Sequence, residues 1–225
     1  MDKDNGEEIF PVVDDTGKTI GKATRAQCHG GSMLLHPVVH LHVFDSLGRL
    51  YLQKRPDWKD IQPGKWDTAV GGHVDYGESV EQALLREARE AFDWVLIDAA
   101  AGIGTSFRLA TQFADRCIVA ATPDPASLRD AACAADALAL EGHELLQLVV
   151  NRVQPRLFSR MNLTVDDMMD QTGLPLLGLV PEDPAVVLSA AAGKALILNS
   201  SGGAAEACLR ISRRLRGEPM PLMRF

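Results

Sequence analysis

Glu87 and Glu90 stand three positions apart in the stretch GGHVDYGESVEQALLREARE, residues 71–90. On a helix that spacing puts both carboxylates on one face. Two carboxylates beside a glycine loop suit a hard divalent cation, Mg2+ or Mn2+, which takes oxygen ligands and bridges to substrate phosphates. A solvated acidic face is the plainer reading, and for two glutamates alone it would prevail. The wider spacing argues against it: Gly72, five residues, Glu78, seven residues, Arg86-Glu87-Ala88, one residue, Glu90.

These residues need a helix and a strand to position them. An acid after Gly77 and an apolar stripe of Val80, Ala83, Leu84 and Ala88 predict a helix over 78–90. Before it, short runs separated by turns predict strands over 8–13, 18–23, 36–44, 49–54 and 66–70, the 36–54 pair as a hairpin about the turn 45–48. Gly17-Lys18-Thr19 superficially suggests a phosphate loop, but Val12 stands where that pattern needs its first glycine, so a hairpin turn is the better reading.

The spacing over 72–90 resembles the Nudix box, in which a glycine loop, a helix and glutamates bind Mg2+ and a diphosphate. The resemblance makes Glu87, Glu90 and Arg86 catalytic, Glu87 and Glu90 metal ligands, and Gly72 and Glu78 substrate-binding. This chain departs at Ala91, where the family has another glutamate, and at Asp93, where it has glycine. The flanks LLHPVVHLHVFDSLGRLYLQKRP and WKDIQPGKWDTAVGGH look like the branch related to isopentenyl-diphosphate isomerase. That resemblance makes His29, His36 and His73 metal ligands. It also puts Gly71 where the isomerase has its catalytic cysteine, so hydrolysis of a nucleoside or other organic diphosphate is the expected family chemistry. His40 and His42 read as strand-face residues.

A second logic begins at residue 92 with no linker. Apolar runs alternate with helix patterns: strands over 95–97, 116–121, 144–150 and 174–180, and helices over 106–113, 127–140, 164–171 and 203–215. Alternation at this spacing predicts a parallel, doubly wound sheet. An aspartate at the carboxyl end of a buried strand, before a glycine loop, can reach a metal-bound water at a phosphate site; Asp98 after VLI is such a residue.

The set VLIDAAAGIG, ATPDPASLRDA, VVNR and GLVPEDPAV resembles the carboxyl-terminal part of MinD/ParA-type ATPases. The resemblance makes Asp98 the Walker B acid and places Gly102 in a switch loop. It assigns Asn151 and Arg152 to adenine recognition and 181–183 to the adjoining loop. No segment matches the glycine-rich phosphate loop that supplies most phosphate binding in that family.

The fold class expected is therefore α/β: a Nudix-like mixed sheet with its helix over 1–91, then a partial doubly wound parallel sheet of the P-loop ATPase type over 92–225. Composition agrees with an ordinary globular chain, at 46% hydrophobic and 24% charged residues. A net charge of -7 argues against a nucleic-acid partner. The acidic start, four scattered cysteines without a CxxC pair, and the lack of a long apolar run point to a cytoplasmic protein with no membrane partner. With both sites incomplete, weak or no catalysis is expected; Mg2+- or Mn2+-dependent diphosphate hydrolysis is the activity if one survives. The alternatives are a nucleotide-binding or protein-interaction module and an inert recombined or designed chain. Open sheet edges predict either self-association or one loosely packed half, the alternative being that the two halves pair their edges into one mixed sheet as a compact monomer.

Overall fold

The computed structural model describes residues 5–223 except 46, 60 and 162. The chain divides into two compact units, Met1–Leu96 and Ile97–Phe225.

The first unit opens with β1 (Ile9–Val13) paired antiparallel to β2 (Thr19–Thr24). The Asp14 carboxylate accepts from the Thr16 and Lys18 amides at 3.0 Å each, and Gly17 takes the left-handed conformation that closes the turn. β2 runs straight into α1 (Arg25–His29), a short helix that the strand pattern did not predict. Its signal is the Thr24/Gln27 capping box, in which each side chain takes up the other's backbone amide. β3 (Val38–Leu41) pairs antiparallel with β6 (Val70–His73), and β4 (Leu52–Lys54) with β5 (Trp66–Thr68). The three ladders remain separate two-stranded pairs. The hairpin expected over 36–54 is reduced to the bridge Phe44–Leu50 and neighbouring backbone bonds; Ser46 of its turn lies outside the described residues. The strand expected over 66–70 splits at Ala69 to serve two partners.

α2 (Val80–Ala91) starts later than residue 78 because Ser79 and Gln82 form a capping box there. Ala83 and Ala88 bury against β3 and β6, while Val80 is exposed. The unit's buried clusters are small: Phe10, Val12, Ala23 and Cys28 in one, Val39, Val74 and Ala83 in another. Phe44, Tyr51, Trp58 and Trp66 stay exposed.

The second unit is built on the parallel sheet β7 (Cys117–Ala121), β8 (Leu146–Val153) and β9 (Leu176–Pro181), in that order. Before and between the strands run α3 (Thr105–Thr111), α4 (Pro125–Leu140), α5 (Pro155–Met161) and α6 (Val165–Thr172). After β9 come α7 (Pro184–Ala191), α8 (Leu196–Asn199) and α9 (Gly203–Leu215). Strand alternation sends Cys117, Val119, Ala121, Leu148 and Val150 to one face, where Leu128, Leu138 and Met168 complete the main core. The opposite face of β8 and β9 is covered by α9, with Ala204, Ala207 and Val180 buried. Gly178 permits this approach, since a Cβ there would overlap the Ile211 side chain. α5, α7 and α8 were not predicted.

One expected strand is absent. Residues 95–97 form no strand, and Leu96 is 84% exposed. Their apolar composition suggested a strand buried on both faces. β7 provides only half of that environment, because its second face is uncovered and Ile118 there is 41% exposed. Neither adjacent strands nor a covering layer repay the ordering of this segment.

Asp183 ties two helices together. Its carboxylate caps α7 through the Ala185 amide at 2.8 Å and caps α9 through the Ala204 amide at 3.0 Å. A Cβ on Gly203 would overlap that carboxylate. We predict that Asp183→Ala lowers the melting temperature of the second unit by about 5 °C in a thermal scan followed by circular dichroism. The Ala204 amide, then that of Ala185, holds the Asp183 carboxyl below its ordinary range. Hydrogen bonds from the Thr122 hydroxyl and the Thr164 hydroxyl do the same for Asp124 and Asp167. A depressed folded pKa contributes stability above the unfolded value, and that contribution disappears as pH falls through the folded one. Melting temperature should therefore hold between pH 7 and about pH 4 and fall below it; a fall beginning near pH 6 would contradict this origin.

Candidate functional site

His29 ends α1, His36 stands two residues before β3, and His73 ends β6. The β3–β6 register pairs Val38 with His73 and so brings the last two close. Phe10 from β1 floors the group: its ring stacks on His73 at 4.3 Å and on His36 at 5.5 Å. The His29 Nε2 lies 3.3 Å from that of His36 and 3.2 Å from that of His73. Among the described residues this is the only group of three or more His, Cys, Asp or Glu whose ligand atoms converge within 4.8 Å.

The outer nitrogens constrain the tautomers. His36 Nδ1 faces the Leu34 carbonyl at 3.1 Å, which can only accept, so the proton sits on Nδ1 and Nε2 keeps its lone pair. His73 Nδ1 faces the Arg25 guanidinium at 3.3 Å, which can only donate, so neutral His73 carries its proton on Nε2. If His29 Nε2 is bare it satisfies His73 but opposes the lone pair of His36. If it is protonated it satisfies His36 but opposes the proton of His73. Three convergent imidazole nitrogens are a donor set that fits a divalent transition ion. Such an ion would end the conflict at His29, but it would also move the His73 proton to Nδ1, so the Arg25 guanidinium would have to turn from that nitrogen. Arg25 is itself buried and paired with Glu8 at 3.2 Å.

The Nudix-like residues form a different arrangement. Arg86 forks onto Glu78 with contacts of 3.1 and 3.0 Å, donates to Glu87 at 2.6 Å and reaches the His73 carbonyl at 2.9 Å. Hydrogen bonding to Glu78 first, then Glu87, raises the Arg86 pKa further, and Arg86 in turn depresses the Glu78 carboxyl. Glu78 also accepts from the Asp75 amide. Arg86, expected to be catalytic, and Glu78, expected to bind substrate, here tie the loop to α2 and β6. Gly72, expected to bind substrate, makes room for Glu87: a Cβ on it would overlap the carboxylate. Glu90 is 67% exposed and lies 3.9 Å from Arg86. Glu87 and Glu90 share this cation and converge with no third ligand among the described residues. His40 donates to or accepts from the Thr68 hydroxyl at 2.9 Å, as a strand-face residue would.

In the second unit Asp98 is exposed in irregular chain. It does not end a strand, so no sheet holds it toward a phosphate site. Asn151 and Arg152 lie within β8 rather than beyond it. The Asn151 side chain accepts from the Arg152 amide at 2.9 Å, and Arg152, at φ 56°, pairs with Glu182 at 2.6 Å. Arg152 and Glu182 therefore meet at the carboxyl ends of β8 and β9, without Asp98. Arg25, Glu8 and Asp183 were missed as positioning residues; the Thr24/Gln27 capping box and the Asp183-Pro184 helix start were their sequence signals.

Residues 34–100 match the NUDIX domain family. The septum site-determining protein MinD of Synechocystis is 30% identical over 146 residues, 64% of this chain and 55% of the relative. That of Bacillus subtilis is 32% identical over 141 residues, 62% of this chain and 53% of the relative. Among solved structures, the MinD cell division protein of Aquifex aeolicus aligns with a TM-score of 0.60 and 28% identity, covering 64% of this chain and 61% of that one. The chain spans about half the length of the curated relatives it matches. The parallel-sheet fold is that of MinD-like proteins, and the chain as a whole is a hybrid, similar to the Nudix domain in one part and to MinD in another.

Proposed function

We propose that the partial Nudix domain over 1–91, within the first unit, is a divalent-metal-binding module with little or no catalytic turnover. The partial MinD-like domain over 92–225, which includes the second unit, is a structural or interaction module without ATPase activity. The observation that carries the first reading is the convergence of His29, His36 and His73, set against an Arg86 that already neutralises Glu87. Imidazole ligands without a carboxylate favour a borderline ion such as Zn2+ over Mg2+, with Mn2+ between them. A bound ion would act as a Lewis acid toward a phosphoryl oxygen. The chain's own part in hydrolysis would be the carboxylates of Glu87 and Glu90, which with Ala91 lack the density of charge that holds Mg2+ on a diphosphate. Substrate would be a nucleoside or other organic diphosphate.

Calorimetric titration of the full chain with Zn2+ and Mn2+ should show one site per chain, weakened more than about tenfold by His36→Ala. Absence of binding, or binding untouched by that substitution, would refute the reading. In the His36→Ala background, Ala91→Glu should strengthen Mn2+ binding through Glu87 and Glu90. No change would mean that the helix is not a metal-binding face.

For the second unit, base contacts at Asn151 and Arg152 cannot replace the amides and lysine of a phosphate loop. ATP with Mg2+ should bind more weakly than about 1 mM by equilibrium dialysis. Tight Mg2+-dependent binding would require a phosphate site elsewhere in the chain.

A further inference from the structure

The sheet of the second unit has two edges, β9 and β7. At β9, Arg214 donates to the Leu176 carbonyl at 3.3 Å. Met223 of the segment after α9 packs into the neighbouring apolar cluster. At β7 nothing comparable is present among the described residues. The Cys117 amide bonds the Leu145 carbonyl at the start of β8. By alternation residues 117, 119 and 121 turn their backbone groups toward β8, and Ile118 and Ala120 turn theirs outward. Ile118 and Ala120 also form an exposed apolar strip on the uncovered face.

The same chain carries a segment with the complementary need. Residues 94–97, Trp-Val-Leu-Ile, have strand composition, form no strand and are largely exposed: Trp94 by 54%, Leu96 by 84% and Ile97 by 41%. They are followed by Ala-Ala-Ala-Gly-Ile-Gly, residues 99–104, an exposed run in which Gly102 adopts φ 90°. Small residues and glycine make that run a hinge between the segment and α3 of the second unit.

We propose that two copies of the chain exchange these segments, residues 95–97 of each adding as a strand to the open β7 edge of the other. A second copy suits this edge because donor and acceptor lie on one chain. Two copies then satisfy each other reciprocally, and the contact closes on itself rather than growing into a fibre. Side chains of the exchanged strand on the same face would flank Ile118 and Ala120.

The test is light scattering of the full-length chain at micromolar concentration, with two substitutions. Leu96→Lys removes apolar surface from the donor segment at a side chain that is almost fully exposed in the single chain. Ala120→Pro removes an outward amide from β7, a change that an edge strand tolerates. The wild-type chain should be dimeric and both variants monomeric with unchanged circular dichroism. Amide exchange at Ile118 and Ala120 should be slow in the wild type and at least about tenfold faster in Leu96→Lys, which decides the matter even where Ala120→Pro fails to fold. A monomeric wild type, a dimer that survives Leu96→Lys, or fast wild-type exchange at Ile118 and Ala120 would overturn the proposal. A surviving dimer would point instead to the exposed aromatic surface of the first unit.

Discussion

A β-strand exists only where a neighbour takes up its backbone amides and carbonyls, and that requirement decides how far each part of this chain is organised. In the second unit three strands find each other in parallel register, and a continuous core forms on one face. In the first unit the strands find partners two at a time, so its apolar side chains divide into small clusters. Residues 95–97 find no partner among the described residues, although their composition is as strand-like as that of β8.

The same requirement separates the two candidate sites. The histidine cluster needs only a capped helix turn, one β3–β6 pairing and Phe10 beneath the rings, and each of these is completed within the first unit. The nucleotide-like residues need a wider sheet. Asn151, Arg152 and Glu182 are gathered because β8 and β9 are adjacent. Asp98 is not, because the strand that would carry it does not form. The glutamates of α2 illustrate a different limit: the helix places them on one face, but Arg86 pairs with both and offsets part of the negative charge that would hold an ion.

Periodicity and spacing alone located α2, α4, α6 and α9, the strands of the parallel sheet and the β1–β2 hairpin, because each depends on local signals: caps, turns and alternating burial. α1 and α8 escaped notice because five and four residues carry too few turns for a period to show; α7 is as long as α6, but its sequence PAVVLSAA is apolar on nearly every side and shows no period. Their caps, Thr24/Gln27 before α1 and Asp183-Pro184 before α7, were the legible trace. The Nudix-like and MinD-like stretches were also legible, since their motifs are contiguous in the chain.

By itself the sequence determined that two unlike α/β patterns meet near residue 92, and which residues could bear chemistry in each. What it could not determine was how those residues would be used, since use depends on neighbours distant along the chain. Tertiary structure turned Arg86, Glu78 and Gly72 into a brace for the loop, through contacts that reach from α2 to His73. It brought His29, His36 and His73 within hydrogen-bonding distance across 44 residues of chain. It also left Asp98 in solvent, because a strand's existence is a property of the sheet and not of its own composition.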